Sequence, residues 1–410
     1  MNNVSCSCIP AGKRIIRLLT LILIFGNVFN PCNIDSQESV LHAYQQSFIR
    51  ASLDQKAEIL IDAAVDPYAA SFLGYLYNFA LNFVLSNKDF MSADPQMIYL
   101  AEIAIKGAGE AAYIHSVETL CNVFQAYSDS SVRTRVMESL AVLGKSNRKV
   151  INFINQYLSD QNKLRFSMIN IDYATVSASI SALLCLGDNS SLIPVFGAVL
   201  ADYSPAITKQ ATEALNALPG DYLQFMLNII LNNLPDEKFT AFTAAAGNSR
   251  LTIYEQGHLA QIALEQGLDY QPANIQQHNV LASLRYAAIL ELTRLQWTNA
   301  EHLVIRHFYR VQNDFQRAYA AKERYLQGIA CLGAMGTSEA AIQAAFQLSF
   351  INSQTEKKLN YDSEITLAFI NVLKTIRDST AADPLFRIEV LPYNEEIKAA
   401  AKHALNNLRW

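Results

Sequence analysis

Basic and aromatic residues are concentrated between residues 294 and 325, in a protein whose formal net charge is −5. Arg306 and Arg310 are four residues apart, so they share one face of a helix. Arginine beside aromatic rings is a composition enriched at protein interfaces. The segment predicts a groove for an anionic or acidic partner, with an ordinary solvated helix face as the alternative. The candidate partner-binding residues are Arg294, Arg306, His307, Tyr309, Arg310, Arg317, Tyr319 and Arg324.

Side chains that could carry catalysis or bind a metal form no familiar pattern in this sequence. His302 and His307 are five residues apart on one expected helix, so they point in different directions. No HExxH motif, Gly-x-Ser-x-Gly motif or phosphate-binding loop is present. The negative net charge also gives no indication of nucleic-acid binding. We therefore expect no catalytic residue, no metal, no cofactor and no nucleic-acid partner.

The N-terminus has the pattern of an export signal. Lys13, Arg14 and Arg17 precede an apolar run over residues 18–29, which is the usual order of a signal peptide. The run is shorter than the ~20 residues that a membrane-spanning helix needs. We expect residues 1–31 to be a signal peptide, with an uncleaved anchor or an amphipathic start as alternatives. The mature protein would then lie in the periplasm or at the periplasmic face of a bacterial envelope membrane.

Cysteine usage adds one candidate modification site. Cys32 stands where a bacterial lipoprotein carries its acylated cysteine, so it is a candidate for lipidation and for membrane attachment. Residues 32–38 would then be a polar tether. Cys121, Cys185 and Cys331 fall on apolar helix faces, and we expect all three to be buried as small hydrophobic residues.

One helical pattern recurs along the mature chain. Apolar or small residues at i, i+4, i+7, i+8 and i+11 mark one helix face, most clearly over residues 132–143. The i+8 positions are Ile105, Leu140, Leu183, Leu215, Leu264, Leu292, Leu332, Leu373 and Leu405. Their mean spacing of about 37 residues is typical of two-helix repeats. Because each helix pair leaves one face uncovered, pairs must stack on one another. The sequence thus predicts an all-α fold, an α-α superhelix or solenoid of stacked helical hairpins.

Breaks in the pattern suggest the internal organisation. We expect helical repeats over residues 39–266 and 275–410, which together would form one continuous superhelix, with a break at Gly267–Asn274. Residues 161–172 are expected to be an irregular insertion and residues 351–362 a polar loop. Gly107 and Gly109 are expected in a turn between helices.

Two segments of the chain resemble a known repeat. Residues 129–144 resemble the second helix of HEAT repeats, especially the short bacterial units first associated with bilin lyases. Residues 186–194 are similar to the turn and next first helix of such units. The similarity extends over residues from about 97 to 408. This resemblance implies an armadillo-like superhelix with an extended concave surface for partners, and no shared catalytic residues.

Three classes of function follow from these expectations. The first is an exported scaffold or adaptor that binds another protein or an envelope component through a concave helical surface. The second is an enzyme of the lyase-like HEAT type that acts on a bound cofactor, which would need a deep polar pocket. The third is a lipid or glycan binder of the envelope, which would need exposed aromatic residues.

Overall fold

The computed structural model describes residues 32–167 and 171–409, and these residues fold as α-helices and short turns without a β-strand. The all-helical fold class is therefore confirmed. The chain forms two compact units, one ending at Leu143 and the other beginning at Gly144. The expected signal peptide, residues 1–31, lies outside the described residues, as does the side chain of the candidate lipidation residue Cys32.

The first unit contains seven described helices. They are α1 (Cys32–Arg50), α2 (Leu53–Val65), α3 (Leu73–Ser86), α4 (Lys88–Met91), α5 (Pro95–Glu110), α6 (Val117–Ala126) and α7 (Ser130–Leu143). The core helix is α5, which packs against α2, α3 and α7. Residues 32–38, expected as a tether, are the first turns of α1, because the segment contains neither glycine nor proline to stop a helix.

Gly107 and Gly109 lie inside α5 and not in a turn, which corrects the expectation from sequence. A Cβ atom on Gly107 would lie 2.2 Å from the Tyr77 ring. A Cβ atom on Gly109 would lie 2.8 Å from the Ser139 hydroxyl, which donates a 2.9 Å hydrogen bond to the Ile105 carbonyl. These glycines allow α3 and α7 to approach the backbone of α5 closely.

The second unit contains fourteen described helices, in seven consecutive pairs. They are α8 (Arg148–Phe166), α9 (Tyr173–Leu186), α10 (Leu192–Ala201), α11 (Pro205–Ala217), α12 (Tyr222–Asn232), α13 (Pro235–Ala245), α14 (Ile253–Asp269), α15 (Ile275–Leu295), α16 (Glu301–Gln316), α17 (Lys322–Met335), α18 (Ser338–Glu356), α19 (Ser363–Ile376), α20 (Ala382–Val390) and α21 (Glu395–Leu405). The second helices α13, α15, α17, α19 and α21 pack successively on one another, and the first helices α8 and α10, α12 and α14, and α18 and α20 do the same.

The recurring pattern marks buried positions. Eight of its nine marker residues are fully buried, and Leu405 is half-buried. All markers lie on the second helix of a pair or on α5 and α7, except Leu264 on the first helix α14. No marker falls on α13, whose buried face includes the charged residue Lys238. Leu264 therefore marks the first helix of its pair, whereas Leu215 and Leu292 mark second helices.

Both segments expected to be irregular begin inside helices. Helix α8 continues to Phe166 and α18 to Glu356. Each extension carries a buried asparagine, Asn162 on α8 and Asn352 on α18. These polar residues made the segments look like loops, although hydrogen bonds inside the protein satisfy their amides.

The two asparagines make the same hydrogen bonds at the same sequence intervals. Each amide donates to a proline carbonyl 32 residues further on, at 2.9 Å, and accepts from a tyrosine hydroxyl 41 residues further on, also at 2.9 Å. The sets are Asn162, Pro194 and Tyr203, and Asn352, Pro384 and Tyr393. The repeated geometry relates α8–α10 to α18–α20.

The cysteines divide between buried and exposed positions. Cys331 is fully buried, as expected, and burial raises the pKa of its thiol to about 12. Cys121 is half-buried, and burial raises its pKa to about 11. Cys185 is exposed, so the expectation of burial was wrong for it. The buried face of α9 passes through Leu183 and Leu186 and leaves position 185 outside.

Candidate functional site

Two adjoining concave regions lie where α15, α16 and the start of α17 meet. The smaller one, here called the basic recess, has a volume of about 60 Å³ and is lined among others by Arg285, His307, Arg310 and Arg324. The larger one, here called the groove, has a volume of about 860 Å³ and extends along α16 to its C-terminal turn. The two regions adjoin, since both are lined by His278, Asn279, Arg310, Asp314 and Tyr319.

Arg285 is held inside the protein by the apolar face of its own helix. It lies between Leu284 and Ala288 on the buried side of α15, and only 4 % of its surface is exposed. Its guanidinium donates a 2.8 Å hydrogen bond to the Gly267 carbonyl. Burial, with a smaller contribution from the nearby positive charge of Arg310, lowers the pKa of Arg285 to about 10. Arg285 is thus cationic at neutral pH.

His307 is the second buried polar residue of the recess. Only 5 % of its surface is exposed, and its Nδ1 atom has no hydrogen-bond partner among the described residues. Burial lowers the pKa of His307 to about 3, and the positive charges of Arg285 and Arg310 contribute to this shift. At neutral pH the imidazole is therefore uncharged, with one N–H donor and one acceptor nitrogen.

Arg310 and Arg324 bring two further positive charges to the recess. The Arg324 guanidinium lies over the Tyr286 ring, 5.5 Å from its centroid. Such cation–π contact orients an arginine without neutralising it. Within the described part of the chain neither arginine has an ion pair, and Asp314 is the one carboxylate that lines the recess. Three guanidinium groups thus face a single carboxylate.

The turn between α16 and α17 forms the rim of the groove. Ala318 has a left-handed φ of 59°, and the Tyr319 amide donates a 2.7 Å hydrogen bond to the Asp314 carbonyl. This tight turn leaves 77 % of the Tyr319 surface exposed. Tyr309 lines the opposite part of the groove and donates its hydroxyl hydrogen to Gln343. The groove therefore presents aromatic surface beside its cations.

Six of the eight candidate partner-binding residues come together here. Those in the recess or groove are His307, Tyr309, Arg310, Arg317, Tyr319 and Arg324. Arg294 and Arg306 line neither region. Arg294 forms an ion pair with Glu291 and a hydrogen bond with Gln256, and Arg306 forms an ion pair with Asp269 on α14. Glu291, on the same helix, compensates the charge of Arg294, and Asp269 on α14 compensates the charge of Arg306.

Sequence reasoning missed Arg285, Tyr286 and His278, which α15 contributes to the recess. A signal for Arg285 was present in the sequence, since it lies between Leu284 and Ala288 on a mainly apolar helix face. An ionised side chain at such a position needs a partner or a polar cavity. An arginine on this helix face therefore indicates a polar cavity or a partner beside α15.

A separate pocket of about 210 Å³ lies between the C-terminal ends of α16 and α18. Its wall includes Phe315 and Tyr325, whose rings stack with centroids 5.2 Å apart. Gln312 donates to the side-chain oxygen of Gln347 at 2.7 Å and to the Tyr325 hydroxyl at 3.2 Å. Uncharged amides and aromatic rings therefore dominate this pocket.

Over residues 32–167 and 171–409, no cluster of histidine, cysteine, aspartate and glutamate side chains has the arrangement of a metal site. No helix in those ranges combines the length and the apolar character that a membrane crossing requires.

A scan against protein-family models and a search of curated proteins both found no match to this chain.

Proposed function

We propose that this protein is an exported binding protein, a scaffold or adaptor that recognises an acidic partner protein through the groove and the basic recess. The observation that carries the proposal is the charge imbalance at this site. Arg285, Arg310 and Arg324 face one carboxylate, Asp314, in a protein of net charge −5. Such a local positive field attracts an anionic partner and suppresses binding of basic ones.

The composition of the groove favours a polypeptide as the partner. Its volume of about 860 Å³ is within the range of pockets that bury drug-sized ligands, and it also has room for several side chains of a peptide. Tyr309 and Tyr319 supply aromatic surface next to Arg317. Tyrosine and arginine are the residues that most often dominate binding energy at protein interfaces.

The architecture and location complete the proposal. We infer that the helix pairs are HEAT-like repeats stacked as a superhelix, and the successive packing of second helices supports this inference. The basic and apolar N-terminal pattern supports export to the periplasm or to the periplasmic face of an envelope membrane. Lipidation of Cys32 would attach the protein to that membrane.

Binding of a defined probe tests this function. A fluorescent glutamate-rich peptide should raise its anisotropy on saturable binding to the wild type, and a glutamine-rich peptide of the same length should not. Salt should weaken the binding, since the charges at the site are partly exposed. Equal binding of both peptides, or no binding of either, would overturn the proposal.

A matched pair of variants locates the binding surface. Arg310→Glu with Arg317→Glu reverses two charges that line the groove. Lys145→Glu with Lys149→Glu makes the same change in net charge at exposed positions that line neither region. The groove variant should lose binding by more than about tenfold, and the control variant should retain most of it. Equal loss in both variants would show a response to net charge alone.

The pocket between α16 and α18 favours a second candidate function, the binding of a neutral glycan. Stacked aromatic rings and amide groups suit the apolar faces and hydroxyl groups of a sugar. Oligosaccharides that raise the melting temperature of the wild type should then fail to do so for Gln312→Leu. A shift of equal size in that variant would reject this candidate.

A further inference from the structure

We propose that the basic recess binds one small oxyanion group, a carboxylate or a phosphate, held by Arg285, Arg310 and Arg324 with His307 as a further hydrogen-bond partner. The inference rests on the proposed function, since it names the chemical group that an acidic partner would insert beside the groove. It assigns a ligand class to a cavity that the groove alone does not explain.

The size of the recess limits what can enter it. A volume of about 60 Å³ accommodates a group as large as a carboxylate or a phosphate but not an aromatic ring. The adjoining groove has room for the remainder of a larger molecule. The anionic group would therefore be a terminus or side-chain end, with the rest of the ligand lying along α16.

The buried guanidinium of Arg285 is the first observation that points to a ligand. It carries five N–H donors, and within the described residues its side chain makes one hydrogen bond, to Gly267. Removing such a cation from water is costly unless a counter-charge and hydrogen bonds are supplied. An oxyanion supplies both, and it can accept two parallel hydrogen bonds from a guanidinium.

His307 provides an independent observation. Its buried Nδ1 atom lacks a partner in the described chain, which is uncommon for a polar atom inside a protein. The uncharged imidazole can donate a hydrogen bond to a bound oxygen through one nitrogen. It would add a directed contact to the site without adding a fourth positive charge.

Asp314 sets the charge that the ligand should carry. It compensates one of the three guanidinium charges and leaves two uncompensated. A dianion would balance the site completely, and a monoanion would balance half of the remainder. Phosphate in its doubly charged form should therefore bind more tightly than acetate at the same concentration and ionic strength.

The experiment is calorimetric titration of the full protein with inorganic phosphate and, separately, with acetate, each at constant ionic strength set with chloride. We expect one saturable site per chain. Saturable binding of both anions, with phosphate tighter, supports a general oxyanion site. Binding of phosphate alone assigns phosphate as the group, and binding of acetate alone assigns a carboxylate. Saturation by neither anion overturns the inference.

Variants connect the measured binding to the recess. Arg324→Gln should weaken anion binding by at least about tenfold, the loss expected for a charge-assisted hydrogen bond. Arg306→Gln removes the same charge from α16 at a residue already paired with Asp269, so it should bind as the wild type does. Arg310→Gln serves as a second exposed test if Arg324→Gln fails to fold. Unchanged affinity in both recess variants would contradict the assignment.

A spectroscopic readout distinguishes the recess from other surfaces. The ring-nitrogen resonances of isotopically labelled His307 should shift with phosphate, in proportion to calorimetric saturation. Peptide binding without anion binding would reject this inference and leave the groove proposal intact. Anion binding without peptide binding would reject the groove proposal and leave the recess as an oxyanion site.

Discussion

The Arg285 guanidinium on α15 donates a 2.8 Å hydrogen bond to the carbonyl of Gly267, which lies in the last turn of α14. The contact also explains the glycine. A Cβ atom on Gly267 would lie 2.7 Å from the Arg285 Cγ atom and 3.5 Å from its backbone nitrogen. The sequence predicts a break that begins at Gly267, but this glycine lies inside α14 and is a point of close approach between α14 and α15.

Gly267→Ala should therefore displace Arg285 and disturb the recess. We expect a loss of about 1–3 kcal/mol in the free energy of unfolding, typical of overpacking, together with weaker phosphate binding. Denaturant unfolding and calorimetric titration measure the two effects. Gly257→Ala is the control, because Gly257 is on the same helix as Gly267 but does not line the recess. A Cβ atom on Gly257 would lie 2.4 Å from the Trp297 ring. The substitution should destabilise the fold and leave anion binding unchanged.

Because the imidazole of His307 is buried, the free energy of unfolding should depend on pH in the acidic range. The pKa of the imidazole is about 3 in the folded protein and about 6.5 when unfolded. Between these two pKa values the unfolded chain therefore binds more protons than the folded protein. The free energy of unfolding is unaffected by His307 above pH 6.5 and decreases as the pH falls toward 3. The loss is at most about 1.4 kcal/mol per pH unit.

The difference between wild type and His307→Gln isolates this contribution, because carboxylates elsewhere titrate in both proteins. Arg285, Arg310, His278 and Asp314 also face the recess and are unchanged in the variant. Its unfolding free energy should fall less steeply below pH 6.5 than that of the wild type. Parallel pH profiles would show that His307 does not titrate as its burial requires.

The two buried asparagines give a matched pair of tests. Tyr203→Phe removes the hydroxyl that donates to Asn162, and the expected loss is about 1–2 kcal/mol, because a buried amide oxygen becomes unpartnered. Tyr393→Phe should lose more, since the Tyr393 hydroxyl also accepts a 3.0 Å hydrogen bond from Thr355. Chemical denaturation measures both losses. The exposed Tyr68→Phe serves as the control and should be neutral.

The buried side chain of Lys238 should stabilise the fold of the second unit, although it is charged. Its ammonium group donates to the Ile230 carbonyl, to the Leu231 carbonyl at 2.9 Å and to the Gln266 side chain at 3.0 Å. Lys238→Met leaves these acceptors without a donor, so we expect a loss of about 2 kcal/mol or more in unfolding free energy. Lys209→Met, at an exposed position, should change stability little. Similar melting temperatures for the two variants would contradict the structural role.

Lys56 repeats this arrangement in the first unit. Its ammonium group donates to the carbonyls of Phe48 and Ile49, eight and seven residues before it, the same intervals that separate Lys238 from Ile230 and Leu231. In both cases the lysine satisfies carbonyls at the C-terminal end of the preceding helix, where no backbone donor is available. The periodicity of apolar residues could not show this, because the repeated element is polar.

The sequence was sufficient for the helical fold class and for most buried positions, because a 3.6-residue period depends only on neighbours along the chain. Leu140, Leu215 and Leu373 are fully buried for that reason. The sequence was not sufficient to predict the structure where a polar residue is part of the core. Asn162 lies in a segment expected to be irregular, and no marker of the recurring pattern falls on the helix of Lys238. Both residues have partners that become neighbours only after folding.

The candidate site, too, could be predicted only in part from the sequence. Cation density indicated the segment that lines the recess and the groove, but it could not separate Arg310 from Arg306. Asp269, which compensates Arg306, is 37 residues away on another helix. Arg285 was missed because it lies outside residues 294–325, where the basic residues are concentrated. Local composition identifies a charged surface, whereas the position of counter-charges decides which part of that surface is available for a partner.

A crystal structure of the protein with the glutamate-rich peptide tests the central claim most directly. We expect the peptide to lie in the groove along α16, with one carboxylate inside the basic recess and within hydrogen-bond distance of Arg285 and Arg324. A peptide bound elsewhere on the molecule, with the recess filled by water alone, would contradict the account.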